Sequence, residues 1–426
     1  MAALPAWSSL RDRLLASPRF HSFVSSVPGL RWVAQRQSRR LFDLVAGFTY
    51  SQVLLACVKL NVLSVLAKGP RTVEELSTQT GLSARSMDIL LRAAVSLNLL
   101  EWRSAPSGRV GAEAHTEQDT RIGLGMLGAV VAANPAIEAL VRHHEEVYKD
   151  LVDPVGLLQD PNQRTRLRDY WAYAHEGVGV SQRSHNADAG RATEAAQGFR
   201  KDGTAVAFAP HSRMLTAEQV AEYSELMAAS QPLVAEQVLA AYDFSRHRCL
   251  LDVGGGQGAF LTAVGQAHTA LRLMLFDLPA VAQRARQRFD IQGLSGRVTC
   301  HGGSFFDDPL PTGADVVSLI RVLYDHSDER VALILKGVRR ALAAQGGTLI
   351  LAEPMSGTPG AEAMGDAYFG LYLLAMGKGR ARTPSELSAL LTSAGFTQIQ
   401  AIRTRLPLQT GLIRAYAPPE GVRKPF

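Results

Sequence analysis

Up to about Arg248 the apolar positions recur mostly at helical spacing, and beyond it they gather into short runs separated by helical stretches. From Leu41 to about Leu66 the chain is strongly apolar with a helical period. A compact pair of helices follows. Thr72 with Glu75 forms a capping box, and Leu76 opens the buried stripe. Gly81 ends that helix and Ser83 caps the next. Met87, Leu90, Leu91 and Ala94 then share one face. After Leu99 and Leu100 the run EWRSAPSGRVGA reads as a short hairpin. Helix, turn, helix, hairpin is a winged-helix pattern. More helix is expected from about Arg121 to Tyr173 and from Ala217 to Tyr242. Between them, Ala174 to Phe208 is rich in Gly, Ala, Ser and charge, and is expected to be a loop, a lid or partly disordered.

From Arg248 the texture changes. The runs CLLDV, LRLMLFDL, RVTCH, ADVVSLI and GTLILAEP alternate with helical stretches. Such alternation marks an α/β domain with a mostly parallel sheet. Thr397 to Leu408 is expected to be its terminal strand.

Composition narrows the function classes. The 426 residues are 46 % hydrophobic and 20 % charged, an ordinary globular mixture. The net charge of +6 favours anionic surfaces without choosing among them. Cys57, Cys249 and Cys300 are far apart, with no CxxC pair, so neither a zinc site nor a disulfide framework is expected, and a reducing cytoplasmic compartment fits. No metal is implied. The apolar stretch Ile122 to Val131 is too short to span a membrane. The first ~40 residues carry Arg11, Arg13, Arg19, Arg31, Arg36, Arg39 and Arg40 against Asp12, with Trp7, Leu10, Leu14, Phe20 and Phe23 interleaved. Such an arm suits peripheral contact with an anionic membrane, or packing on a dimer partner. A winged helix invites a DNA-binding reading, but Arg85 and Arg92 beside Asp88 are thin for phosphate neutralisation. Dimerisation is the better reading, and no nucleic-acid partner is expected.

The chemistry concentrates in Leu250-Leu251-Asp252-Val253-Gly254-Gly255-Gly256-Gln257-Gly258. An apolar strand ends in an acid, and a glycine-rich turn opens a helix. Glycines let the backbone approach a ligand, and the helix N-terminus faces its polar groups. The spacing Gly254-x-Gly256-x-Gly258 differs from the dinucleotide fingerprint, whose third glycine comes one residue later. With an acid before it, the turn suits the amino-acid end of S-adenosylmethionine. Asp277, ending the next strand about 20 residues on, is placed to accept from ribose hydroxyls.

On the segments LLDVGGGQG, FDLPAV, GGSFFDDPLP, SLIRVLYDHSDERVALILKGVRRAL and GKGRARTPSELSALLTSAGF, the chain resembles the O-methyltransferases that include the plant phenolic and hydroxyindole enzymes. The resemblance covers nearly the whole length. Through VRHHEEVYKDLVDPVGLL, YSELMAASQPLVAEQVLAAYDFSRHRCLLDVGGG and YFGLYLLAMGKGRART it is most similar to the bacterial carotenoid branch. These enzymes methylate 1-hydroxy carotenoids of the hydroxyneurosporene and demethylspheroidene type in photosynthetic bacteria. The resemblance implies a class I, Rossmann-like methyltransferase domain with an N-terminal all-α winged-helix dimerisation domain, and a homodimer. The implied division is an arm (1–40), the dimerisation domain (41–120), a helical substrate-side region with the 174–208 segment (121–242), and the S-adenosylmethionine-binding domain (243–426).

By the same resemblance Asp252, Gly254, Gly256 and Gly258 line the cofactor. Asp277 holds the ribose with Leu278 beside it, Ser304 and Phe305 flank adenine, and Arg321 stands on the cofactor side. The family commonly has an acid where Ser304 sits. The catalytic motif departs further. Where the phenolic enzymes carry LHDW with a histidine base, this chain has Leu323-Tyr324-Asp325-His326. Tyr324 takes the base position, and His326 stands where tryptophan is usual. Glu353 matches the acid that orients the family's base, and Ala381 replaces a second acid. The expectation is that His326 accepts the proton, Glu353 orients it, and Tyr324 binds the substrate hydroxyl. His143 and His144 point to different sides of a helix and form no metal pair; a solvated face is the expected reading, with His143 near a substrate pocket as the other. Met355, Met364 and Met376 with Tyr368, Phe369, Tyr372 and Leu373 are either core or the wall of a greasy tunnel. The implied substrate is a hydroxylated acyclic carotenoid. The alternatives are a phenol, quinone or polyketide hydroxyl, or a non-catalytic winged-helix regulator.

Overall fold

The computed structural model describes residues 12–103, 121–170, 230–407 and 410–419. The chain divides into two compact units, Met1–Arg142 and His143–Phe426. The 174–208 segment and the EWRSAPSGRVGA run beyond Arg103 lie outside the described residues.

In the first unit, helix α1 (Pro18–Ser26) leads into the 32-residue helix α2 (Pro28–Lys59). Helices α3 (Val73–Thr80) and α4 (Ala84–Ser96) then form the expected pair. Thr72 and Glu75 close a reciprocal capping box, and Gly81 ends α3 in the left-handed region at φ 73°. Ser83 caps α4 by accepting from the Ser86 N–H, and Met87, Leu91 and Ala94 are buried along one face. Strand β1 (Leu100–Arg103) is present, but its partner is β2 (Arg121–Leu124), paired Leu100 with Leu124. The expectation of helix from Arg121 is therefore corrected for these residues. Only Ile122 and Gly123 are buried there, too short a pattern to carry a period.

The second unit is built on a seven-stranded sheet ordered β5-β4-β3-β6-β7-β9-β8. Its strands are β3 (Cys249–Val253), β4 (Arg272–Asp277), β5 (Val298–Gly302), β6 (Val316–Ile320), β7 (Gly347–Glu353), β8 (Thr397–Ile402) and β9 (Gly411–Ala417). The first five run parallel, and β9 pairs antiparallel with both β7 and β8. Thr397 to Ile402 is indeed a strand, but an edge one; the chain then turns back, and β9 fills the place beside β7. Central strands β3 and β6 are buried at every position, as a sheet covered on both faces requires. The strand order reverses between β3 and β6. At such a switch point the carboxyl ends of the strands open a crevice, and ligands bind there. Helices α5 (Pro135–Asp150), α6 (Ala259–Ala267), α7 (Pro279–Ile291), α8 (Asp328–Ala341) and α9 (Phe369–Met376) complete the parts that matter below.

Candidate active site

The glycine turn after β3 uses its glycines differently. Gly254, Gly256 and Gly258 all have positive φ, at 70°, 57° and 77°. A Cβ on Gly254 would come within 2.9 Å of Val322, and one on Gly258 would run into the Phe289 ring. These two positions are glycine because the protein presses on them. A Cβ on Gly256 would meet nothing within 4 Å. Its backbone faces open space beside Asp277, whose carboxylate accepts from the Gly256 N–H at 2.8 Å and from the Leu278 N–H at 2.7 Å. Burial raises the Asp277 carboxyl to about 6, against the pull of those two N–H groups. Asp252 lies deeper. Ser318 donates to one of its oxygens at 2.6 Å, and burial lifts it to about 7, with Asp277 adding to the rise.

A wall of rings stands beside this turn. Phe305 approaches the Gly254 position. The rings of Phe305, Phe306 and His326 meet edge to face, with centroids 4.6 to 5.6 Å apart, and Arg330 lies 3.8 Å over Phe306. Ser304 is spent locally: its hydroxyl donates to Asp307 and its N–H to Asp308, both at 2.8 Å. The open backbone at Gly256, the buried carboxylate of Asp277 and the aromatic wall fit an adenosyl cofactor.

After β6 the chain makes a tight turn through Arg321–His326. Arg321 itself has φ 60°, a left-handed conformation strained for a side chain with Cβ. Two buried groups hold the turn. Glu353, at the end of β7, is fully buried and accepts from the Tyr324 N–H at 3.1 Å and from the Leu323 N–H. Arg382, also fully buried, donates to the Leu323 carbonyl at 3.0 Å, to the His326 carbonyl at 2.7 Å and to Asp328 at 2.7 Å.

The turn has two sides. His326 faces the ring wall. Tyr324 points instead into an apolar cluster with Val147, Leu157, Leu167, Tyr372 and Met376, and meets Phe369 edge-on at 6.0 Å. Its hydroxyl is hydrogen-bonded by Arg321, and burial pushes the phenol well above its ordinary value. Arg321 also donates to Ser230 Oγ at 2.7 Å. Beside Tyr324, one oxygen each of Glu353 and Asp325 has no hydrogen-bond partner among the described residues. Burial raises Glu353 to about 7 and Asp325 well above the carboxylate range. Burial first, and then Arg330, Arg382 and Lys378, lower His326 to about 4, so its imidazole is neutral at physiological pH.

Two independent likenesses decide the family. The O-methyltransferase domain matches residues 190–397, and the O-methyltransferase dimerisation domain matches 42–117. A demethylspheroidene O-methyltransferase of Cereibacter sphaeroides is 42 % identical over 96 % of this chain and 95 % of its own length. The chain belongs to the O-methyltransferase family. A second such protein, of Rhodobacter capsulatus, is 36 % identical over 95 % of this chain and 88 % of its own. Human N-acetylserotonin methyltransferase, solved with S-adenosylmethionine, shares the fold with a TM-score of 0.67 at 22 % identity, over 90 % of this chain and 98 % of that one. The protein is therefore an S-adenosylmethionine-dependent O-methyltransferase with the family's dimerisation domain, and its α/β and helical parts are of the expected kinds.

In this O-methyltransferase the expected site residues do not all meet. Asp252, Gly254, Gly256, Gly258, Asp277, Leu278 and Phe305 gather at the switch point. Arg321, expected on the cofactor side, bonds the Tyr324 hydroxyl. Glu353 was expected to orient His326. It bonds the backbone of Leu323 and Tyr324 instead, because the carboxylate sits under the turn and the imidazole leaves it on the opposite side.

His143 is not on a solvated face. Its Nε2 shares a buried 2.8 Å hydrogen bond with the Tyr372 hydroxyl, and His144 stacks on Tyr368 at 5.5 Å. Burial and His144 lower His143 to about 4, so it too is neutral. Met355 packs in the sheet core, and Tyr372, Leu373 and Met376 pack in the Tyr324 cluster, which agrees with the core reading of these residues. Sequence reasoning missed the structural weight of Arg382 and the carboxyl of Asp325. The GRART run held the signal for the first, since an arginine beside small apolar residues is a poor surface pattern.

Proposed function

We propose that this enzyme methylates the tertiary hydroxyl of an acyclic 1-hydroxy carotenoid, and that it meets this substrate at the cytoplasmic face of a membrane. Two relatives similar over nearly their whole length are named as demethylspheroidene O-methyltransferases. Within the chain, the observation that favours this substrate over a phenol is Tyr324 in place of the histidine base, buried in an apolar aromatic cluster.

The chemistry explains why a histidine base is dispensable. A phenol titrates near about 10 and yields its proton to an imidazole; a tertiary alcohol is far less acidic. Its proton leaves late, once the oxygen has begun to bond to the methyl group and has become strongly acidic. A weak acceptor then suffices. Bound S-adenosylmethionine supplies the methyl group on a sulfonium and leaves as the neutral thioether. Tyr324, polarised by Arg321, donates to the substrate oxygen and fixes which lone pair faces the methyl. The sequence points to His326 as the acceptor with Glu353 orienting it; in this reading Glu353 itself takes the proton. Its carboxylate bonds the Tyr324 N–H through one oxygen, the other oxygen has no hydrogen-bond partner among the described residues, and its raised value of about 7 suits it to take a proton at neutral pH. His326 serves as cofactor wall in this reading. Alignment and exclusion of water supply the rest of the acceleration.

The test is methyl transfer from labelled S-adenosylmethionine to detergent-dispersed 1-hydroxy carotenoids, with a panel of phenols alongside. Methyl ether from the carotenoid alone is the expected result. Transfer to phenols alone overturns the substrate assignment.

A further inference from the structure

A substrate dissolved in lipid raises the question of how the enzyme reaches it, and the following rests on the carotenoid reading above. Helix α2 changes character along its length. Its last third is anchored in the first unit through buried Leu55, Cys57 and Val58. Upstream, Leu30, Val33, Leu41, Leu44, Val45 and Phe48 are exposed, Leu44 to 82 %. At the helical repeat these six fall in one stripe about 120° wide and about 27 Å long. Arg31 and Arg40 border the stripe, and Arg36 and Arg39 lie behind it, Arg36 stacking 5.5 Å from the ring centre of exposed Trp32. Helix α1 adds exposed Phe23 and Arg19.

By length and composition Gly29–Lys59 passes as a membrane span. The packed last third and the four arginines in the first half speak against spanning, since arginine is costly at the bilayer centre. A second copy of the chain is the natural cover from Phe42 onward, where the dimerisation domain begins. The residues before it precede that match. They carry seven arginines and a single acid, and a second copy with a net charge of +6 offers no acidic surplus to meet them.

We infer that residues 12–41 dock on an anionic lipid bilayer. The Leu30, Val33 and Leu41 edge lies among the headgroups, and Arg31 and Arg40 on its borders engage lipid phosphates. The arm holds the enzyme on the surface without crossing it.

Flotation of the full-length protein with vesicles of phosphatidylcholine, with and without phosphatidylglycerol, tests this. Binding is expected only with phosphatidylglycerol, and it should weaken as salt screens the contact. The variant Arg31→Gln/Arg40→Gln should lose vesicle affinity by on the order of 25-fold, about fivefold per arginine removed. Its mass in solution and its methyl transfer to dispersed substrate should match the unaltered enzyme. Absence of vesicle binding by the unaltered enzyme overturns the inference. So does unchanged vesicle binding by the variant, or a fall of the variant to a monomer, which would make the arm a partner contact. The two readings fail separately: methylation without vesicle binding sinks only the docking surface, and vesicle binding without methylation sinks only the substrate.

Discussion

Tyr324→Phe isolates the hydroxyl proposed to hold the substrate. The ring stays, so the cluster with Val147, Leu157, Tyr372 and Met376 is not hollowed out. Tyr324→Ala would leave a cavity costing about 3–5 kcal/mol and would confuse folding with function. The turn also stays, because Glu353 bonds the backbone N–H of residue 324 and not its side chain. Arg321 loses one partner but keeps Ser230. What disappears is one charge-assisted hydrogen bond to Arg321 and, in the complex, one to the substrate oxygen. The bond to the substrate joins neutral groups and is worth about 0.5–1.5 kcal/mol, which is roughly 2- to 13-fold in rate if it is made in the transition state. The assay is kcat and kcat/KM for carotenoid methylation, with the dissociation constant of S-adenosylhomocysteine by calorimetry and Tm as controls. We expect the rate to fall by that factor, with cofactor affinity unchanged and Tm lower by only a few degrees. A fully active Tyr324→Phe enzyme would refute the assignment of the hydroxyl.

Three further outcomes follow from the geometry. His326→Ala should weaken S-adenosylhomocysteine binding several-fold while leaving kcat at saturating cofactor within a few-fold of normal; a collapse of kcat with binding intact would restore His326 as the base. Asp277 must be ionised to accept hydrogen bonds from two hydroxyls, so cofactor affinity should be full above about pH 7, reach half near pH 6 and decline further below it as the carboxyl takes up its proton; calorimetric titrations across pH values on either side of that midpoint read this, and Asp277→Asn should flatten the dependence. Gly258→Ala should prevent folding, since its Cβ enters the Phe289 ring, whereas Gly256→Ala should fold with about 1–2 kcal/mol of left-handed strain and lose cofactor binding; equal Tm values for the two would contradict the division of labour among the glycines.

The parts of this fold legible in the sequence are those set by local rules. The capping box at Thr72, the glycine stop at Gly81 and the Ser83 cap each concern residues three or four apart, and all three are present. The five parallel strands were readable because burial on both faces makes them continuous apolar runs. Strand β9 was not, because its residues pair with β7, which lies some sixty residues earlier, and no local pattern announces that. The same limit governed the site. The glycine turn and Asp277 are strand-end signals and could be placed. Which side of the turn His326 and Tyr324 face depends on Glu353 and Arg382, brought in from β7 and from the loop after α9.

That turn also explains how the site can change substrate without losing its cofactor. Glu353 and Arg382 grip the backbone at Leu323, Tyr324 and His326, so the path of the chain does not depend on the side chains at 324 and 326. The side chains at 324 and 326 are then free to serve separate ends. On one side His326 completes the rings with Phe305 and Phe306. On the other, in the proposed mechanism, position 324 presents the group that meets the nucleophile. A histidine there suits an acidic phenol, and a tyrosine backed by Arg321 suits an alcohol that keeps its proton until late. The buried carboxyl beneath the turn holds the backbone through one oxygen whichever side chain stands at 324, and in the proposed mechanism its other oxygen takes the proton.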